Sequence, residues 1–405
     1  MGYKFSDFVL LLIAAVAVLS STTVRADSSK ISQIAMSNEG IPFLLDSNGS
    51  VWGFKRPFTL EDPIKLAIPS RIKTIKPFIA LTADGHVFTW AIASKQSLSK
   101  DSSGDGNGDG SIVVTYAQPE LHNNIPIVSD ISYATGRLGS GDFYALGTDN
   151  SIYEWTHDPV ASPQLNMKIE YNPPLADITS FSSSGFTTAY LFGKTRLLGW
   201  GMNSEGQLGA NTHGVGVRPI VLPDWPEQVQ LPEEAHKVVV GTFHTFVLAD
   251  SGKVFVWGGC HPSGANLAGD KPDMIAGVQY ELANVQDVAV SIDDNLYPDT
   301  FLKTDGTVWI GYAPANKGVH DLHCGRTYEN GSLTYHAGMP VRAVAIAMGG
   351  DQRYPILALG EDGTLWGISY RNTSPRNWGQ SDPAHSYESM QKLSVDLDNP
   401  AEAQK

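Results

Sequence analysis

Short apolar stretches separated by polar turns run through most of this chain, and one arrangement returns seven times. Its clearest copies are LTADGHVFTW at 81–90, LADSGKVFVW at 248–257, LKTDGTVW at 302–309 and LGEDGTLW at 359–366. Weaker copies read LDSNGSVW at 45–52, LGTDNSIYEW at 146–155 and LFGKTRLLGW at 191–200. Each is an apolar strand, a polar turn and a second strand of alternating character. Asp-Gly or Asn-Gly supplies the positive φ that a tight hairpin needs. The period of two beyond the turn sets Val87 and Phe88 on opposite faces. The unit therefore contains a β-hairpin.

A further apolar segment precedes every hairpin: ISQIAM at 31–36, RIKTIK at 71–76, VSDISY at 128–133, LADITS at 175–180, AHKVVV at 235–240, VQDVAV at 285–290 and VRAVAI at 341–346. This is a third strand. Pro-led segments such as DPIKLAIP at 62–69 and RPIVLP at 218–223 supply a fourth, outer one, since proline is tolerated at sheet edges. QKLSVDL at 391–397 alternates in the same way and is expected in the last sheet. Four short antiparallel strands per unit make a propeller blade. The expected fold is all-β, a seven-bladed β-propeller of four-stranded blades, with units starting near 31, 71, 128, 175, 235, 285 and 341. A solenoid is the alternative, but it would need polar caps at both ends. A β-sandwich would not repeat so regularly. The aromatic residues beyond each turn are expected to fill the wedges between blades.

Composition sharpens this picture. Forty glycines and twenty-four prolines suit many turns, and 42% hydrophobic residues are ample for a core. The formal charge of −14 disfavours nucleic acid and anionic membranes as partners. Residues 1–26 carry Lys4, an apolar run from Val9 to Leu19, and small residues up to Ala26. That is the layout of a secretory signal peptide, and the run is short for a membrane span. The expectation is a secreted or periplasmic protein, with one propeller over 27–400, a tail at 401–405, no membrane insertion after cleavage, and a monomeric state.

The middle of the chain resembles a known family. Trp200, Gly201, Asn203, Gly206, Gln207, Leu208 and Gly209 spell W-G-x-N-x-x-G-Q-L-G. Gly241 and His244 follow within G-x-x-H-T-x-x-L, and Asp250 to Gly258 spell D-x-G-x-V-x-x-W-G. Together they look like the regulator of chromosome condensation repeat. The resemblance implies a seven-bladed propeller in which His244 is a structural blade histidine. Nuclear members of that family bind histones and exchange nucleotide on a small GTPase, and secreted bacterial members include inhibitors that cover a β-lactamase. The export signal and acidic balance count against the exchange activity here. The glycines of the 200–209 segment let the backbone turn, and Asn203 and Gln207 can tie it to backbone groups.

Candidate chemistry is sparse. There is no H-E-x-x-H, P-loop, G-x-S-x-G or C-x-x-C. DGNGDGSI at 105–112 sets Asp105, Asn107 and Asp109 in the alternation of a calcium loop, but Tyr116 stands where the closing glutamate belongs. A solvated glycine-rich insertion is the preferred reading, with calcium as the rival and no other cofactor expected. Cys260 and Cys324 are expected to form a disulfide in an oxidising compartment. A zinc or copper site with the neighbouring His261, His320 and His323 is the alternative. Asn48, Asn330 and Asn372 lie in glycosylation sequons. The functional expectation is an exported, non-catalytic module that presents a propeller face to a protein partner, as an inhibitor or recognition factor. The alternatives are a hydrolase or lyase acting on polysaccharide, and a carbohydrate-binding lectin. An enzyme should gather acids and a base with shifted pKa values in a central funnel.

Overall fold

In the computed structural model, the described residues are 30–37, 40–56, 60, 62–97, 112–135, 141–158, 161–169, 178–184, 187–201, 227–241, 244–258, 278–279, 282–290, 299–312, 333–349, 356–368 and 390–397. They form seven four-stranded antiparallel sheets and one two-stranded sheet, and no helix is among them. In each large sheet the strands lie in chain order from an inner to an outer edge. The inner strands are Ile31–Met36, Ile72–Lys76, Val128–Thr135, Ile178–Ser183, Ala235–Val240, Val285–Ala289 and Ala343–Met348. The hairpins read from the sequence supply the second and third strands, as in Pro42–Asp46 with Val51–Phe54.

The outer strands are short. Pro63–Lys65 opens on a proline, as expected for an edge, and Gln391–Leu393 takes the outer place of the last sheet. In the fourth sheet the outer strand is Glu227–Gln230. The segment 218–223, expected in that role, lies outside the described residues.

Consecutive sheets pack face to face, and the last packs on the first. Phe43, Phe78, Trp90, Phe143 and Trp155 belong to one buried cluster that runs through the first three sheets. Phe43 meets Phe78 at 5.0 Å and Trp90 at 5.5 Å in edge-on geometry. Phe246 and Phe301 join the fifth sheet to the sixth. Met36, Trp52 and Phe54 of the first sheet share a cluster with Leu357 and Leu365 of the seventh, which closes the ring. Each such side chain contributes about 1.5–3 kcal/mol by leaving water. The aromatics beyond the turns thus fill the wedges between sheets.

The hairpin turns clamp neighbouring sheets together. The carbonyls of Gly49, Gly85, Gly252 and Gly306 each accept the N–H that opens the next inner strand, from Ile72, Val128, Val285 and Ala343, at 3.0, 3.0, 3.0 and 2.8 Å. Glycine is required twice over at these positions. At Gly252 φ is +82°, and a Cβ there would stand 2.7 Å from the Cα of Asn284. The turn carboxylates complete the clamp. Asp46 accepts the N–H groups of Asn48 and Ser50 and the indole N–H of Trp52 at 2.9, 2.9 and 3.0 Å. In the sixth and seventh sheets the same role passes through threonine. The Trp309 indole donates to Thr307 at 2.9 Å, and the Thr307 hydroxyl donates to Asp305 at 2.6 Å.

One element was not anticipated. Ile92–Ser97 and Ile112–Tyr116 pair as a separate hairpin inserted in the second unit. It docks on the first sheet. Val114 N–H donates to the Lys55 carbonyl at 2.7 Å, and the Tyr116 hydroxyl donates to the Phe54 carbonyl at 2.7 Å.

Candidate functional site

Two regions carry the polar chemistry of the described residues: the face formed by the hairpin turns, and the channel bounded by the inner strands.

The turn face is a set of satisfied charges. Asp84, Asp305 and Asp362 each bond a neighbouring threonine hydroxyl, and those bonds hold their carboxyls below the usual range. Between the fourth and fifth sheets, Asp250 sits between Lys194 Nζ at 3.0 Å and His236 Nδ1 at 3.1 Å. The hydrogen bond from Lys194 leads the lowering of Asp250, and Lys194 is raised in turn. These groups remain exposed, so the turns present charges on a backbone held from behind.

The channel is built by a bulge. In all seven inner strands the register with the second strand slips after the first residue, at Ile31/Gln33, Ile72/Thr74, Val128/Asp130, Ile178/Ser180, Ala235/Lys237, Val285/Asp287 and Ala343/Ala345. The residue inside the slip is exposed each time, and the next one is half-buried toward the centre. That second position places Gln33, Thr74, Asp130, Ser180, Lys237, Asp287 and Ala345 at equivalent places around the ring. Several reach to the following inner strand. Gln33 donates to the Lys73 carbonyl at 2.7 Å and accepts from Ile75 N–H at 3.1 Å. Ser180 and Ser182 accept from Val238 and Val240 N–H at 3.2 and 3.1 Å. Lys237 pairs with Asp287.

Lys76 lies on the channel side at the end of its strand. Its side chain is exposed to solvent. Desolvation lowers its ammonium below the usual lysine range, with the charge of Lys237 adding to that effect. Asp130 and Asp287 oppose the shift. Lys76 of the second sheet thus feels Lys237 and Asp287 of the fifth and sixth sheets, which do not adjoin it. Asp130 is pushed up by desolvation, against the pull of Lys76 and Lys237. One oxygen of Asp130 accepts from Ile131 N–H at 2.8 Å. Among the described residues Lys76 and Asp130 form no ion pair.

None of these four residues was singled out from the sequence. The signal was present: each inner strand reads apolar, two variable residues, apolar, as in Val128-Ser129-Asp130-Ile131. Two non-core positions in succession break a period of two and mark the bulge.

The residues that were singled out fare unevenly. Trp200 and Gly201 lie in the third strand of the fourth sheet, where Trp200 pairs with Thr188. Gly241 is buried, and His244 opens the second strand of the fifth sheet opposite Gly258. Asn203, Gly206, Gln207, Leu208 and Gly209 lie outside the described residues, as do Asp105, Asn107, Asp109, Cys260, Cys324, Asn330 and Asn372. Asn48 is exposed in the first hairpin turn. Tyr116, where a calcium loop would close, is a strand residue whose hydroxyl is committed to Phe54. Among the described residues no group of three or more His, Cys, Asp or Glu side chains could hold a metal ion. No helix among them is long and apolar enough to cross a membrane.

The model of the regulator of chromosome condensation repeat matches residues 195–248. That stretch, from the third strand of the fourth sheet to the second strand of the fifth, is what the chain shares with the repeat family. Curated relatives agree. Regulator of chromosome condensation from Mus musculus is 31% identical over 121 residues, 30% of this chain and 25% of the relative. The Homo sapiens protein is 30% identical over 122 residues, again 30% and 25%. The chain thus spans about a quarter of the length of the curated relatives it matches. Solved structures show the fold on a larger share. Human WBSCR16 aligns at a TM-score of 0.52 and 15% identity, covering 79% of this chain and 85% of that one. Prp20p from Saccharomyces cerevisiae, described with its binding to Gsp1p and histones, aligns at 0.50 and 14%, covering 79% and 80%. The propeller fold is common to all of them.

Proposed function

We propose that this chain is an exported, monomeric, non-catalytic binding module that offers a propeller face to a protein partner, as an inhibitor or recognition factor. The observation that carries the reading is the turn face. Its turns are pinned to the following sheet by backbone bonds, and its charges are already satisfied by short local contacts. A face of this kind loses little conformational freedom on docking, so less of the contact energy goes into ordering it. Charges at the rim then set encounter rate and partner choice. The binding described for Prp20p offers a precedent for a propeller of this family that takes protein partners. Export rests on the leader-like residues 1–26.

The test is affinity capture with the mature chain against secreted and surface proteins of its own environment, followed in the same assay by Lys194→Glu and by Glu361→Lys, Glu361 being an exposed turn carboxylate 3.9 Å from Arg342 Nη1. A specific partner, lost from the charge-swapped variants while circular dichroism and melting stay unchanged, is the expected result. A glycan array that lights up while no protein binds would replace this reading with a lectin.

The channel favours a second reading, a hydrolase or lyase acting on polysaccharide. Asp130 is biased toward its protonated form and Lys76 toward its neutral form. Those shifts run in the directions that a proton-donating acid and a proton-accepting base need. Polysaccharide turnover by the purified chain, abolished by Asp130→Asn, would establish it.

A further inference from the structure

The seven sheets meet at seven seams, and one seam is built differently from the rest. Each sheet is made of strands that follow one another in the chain, the inserted hairpin aside, so no strand is shared across a seam. Six seams are crossed by the chain itself as it passes from sheet to sheet. The seam between the seventh sheet and the first is not, and it depends wholly on turns and side chains.

Elsewhere the turns hold the seams tightly. The carbonyls of Gly49, Gly85, Gly252 and Gly306 accept the N–H that opens the next inner strand. A Cβ added at these glycines would stand 2.3, 2.4, 2.7 and 2.7 Å from Arg71, Ile127, Asn284 and Arg342, at the start of the following sheet. Between the fourth and fifth sheets the Lys194 carbonyl accepts from Ala235 N–H at 2.9 Å. At the closing seam Gly363 has the same left-handed φ, +83°, but a Cβ there would meet nothing nearer than 3.4 Å, on Lys30. Among the described residues the Gly363 carbonyl makes no bond to Ile31 N–H, and the two inner strands of this seam exchange none.

Apolar contact holds the closing seam instead. Met36, Leu44 and Phe54 of the first sheet share a buried cluster with Leu357, Leu359 and Leu365 of the seventh. Leu393, Val395 and Leu397 pack against that same cluster, while Ser394 and Asp396 between them stay exposed. Only Leu393 belongs to the ladder of the last sheet, where it pairs with Leu365. Val395 and Leu397 carry the strand alternation past the end of the ladder and onto the cluster.

We propose that residues 393–397 are a clasp on a ring that opens between its seventh and first sheets. Apolar contact is non-directional and fixes no geometry, whereas the clamps of the other seams are directional hydrogen bonds. Because every sheet is complete in itself, separation at the closing seam breaks no ladder and leaves the hairpin turns intact. It uncovers the apolar faces of the first and seventh sheets, which the closed ring hides. This device goes beyond the protein-binding reading and does not depend on it.

Thiol footprinting of the full mature chain tests the clasp. Leu359 and Leu248 occupy equivalent buried places, paired with Ala345 and Lys237, the first at the closing seam and the second between the fifth and sixth sheets. Leu359→Cys and Leu248→Cys are exposed to a thiol reagent under native conditions, and modification of each is followed by peptide mass spectrometry. The Leu359→Cys thiol should react at least tenfold faster than the Leu248→Cys thiol. Adding Val395→Ala and Leu397→Ala should speed the Leu359→Cys thiol at least tenfold more and leave the Leu248→Cys thiol unchanged. Leu365→Cys and Val254→Cys form a second matched pair across the same two seams, and they replace the first if either of its variants fails to fold. Less than a tenfold difference at either step, or equal acceleration at both seams, overturns the proposal.

Discussion

Acids of one kind behave in opposite ways in two parts of this molecule. On the turn face, Asp84, Asp305 and Asp362 each accept bonds from a threonine two residues away, and their carboxyls are held down. In the channel, Asp130 has only the adjacent N–H of Ile131, and desolvation pushes it up. The turn acids are part of the fold: each completes its own hairpin. The channel acid bonds only the next backbone N–H of its own strand among the described residues. Local bonds fix the charges of the turn face in place, whereas the channel acid lacks the threonine bond that lowers the turn acids.

If the turns are clamps, damaging one should cost the most. Gly252→Ala combines a left-handed φ with a Cβ placed against the Asn284 backbone, and it should destabilise the chain by about 2–4 kcal/mol. Gly193→Ala is the control: its φ is +55° and nothing lies within 4 Å, so only the conformational cost of about 1 kcal/mol remains. Urea denaturation midpoints separate the two, and equal losses would mean that close approach between sheets is unimportant.

The docked hairpin comes next in size. Tyr116→Phe removes a hydroxyl that donates to the Phe54 carbonyl at 2.7 Å and accepts Phe54 N–H at 3.2 Å. The loss should be about 1–3 kcal/mol, read from the same midpoints. A variant as stable as wild type would show that the insertion does not brace the first sheet.

A smaller effect tests burial away from both regions. His122 lies against Trp155 at 5.3 Å and shares a 2.6 Å hydrogen bond with Thr89. Burial lowers its imidazole below the usual range, with the charge of Glu120 opposing. The folded state therefore keeps it neutral, while the unfolded chain takes up a proton below about pH 6.5. Stability should fall as pH drops from there toward the folded value, because the unfolded state then binds more protons. In His122→Gln the decline between pH 7.5 and 5.5 should be shallower. An unchanged slope would place the proton uptake elsewhere.

The same contrast explains what could be read in advance. The turn face was legible because its chemistry is local. Asp305, Gly306, Thr307 and Trp309 sit within five residues, and that spacing alone announces a hairpin with an aromatic behind it. The inner strands were legible from their apolar residues. The channel site was not, because Lys76, Asp130, Lys237 and Asp287 meet only when sheets far apart in the chain surround one centre. Even so, the paired variable positions in every inner strand pointed to the bulge that aims Asp130, Lys237 and Asp287 inward. Tyr116 illustrates a different gap. Its partner Phe54 is 62 residues away, in another sheet, and no local pattern joins them.

The contrast between the two regions rests on one measurable difference. Carbon-13 NMR titration of the side-chain carboxyls, with Asp130, Asp305 and Asp362 assigned by their Asn variants, reads it directly. The account predicts that Asp130 titrates above the ordinary aspartate value of about 3.9, and that Asp305 and Asp362 titrate below it. Asp130 titrating at or below the value of the turn acids would contradict it, because the channel acid would then be fully satisfied by the protein itself.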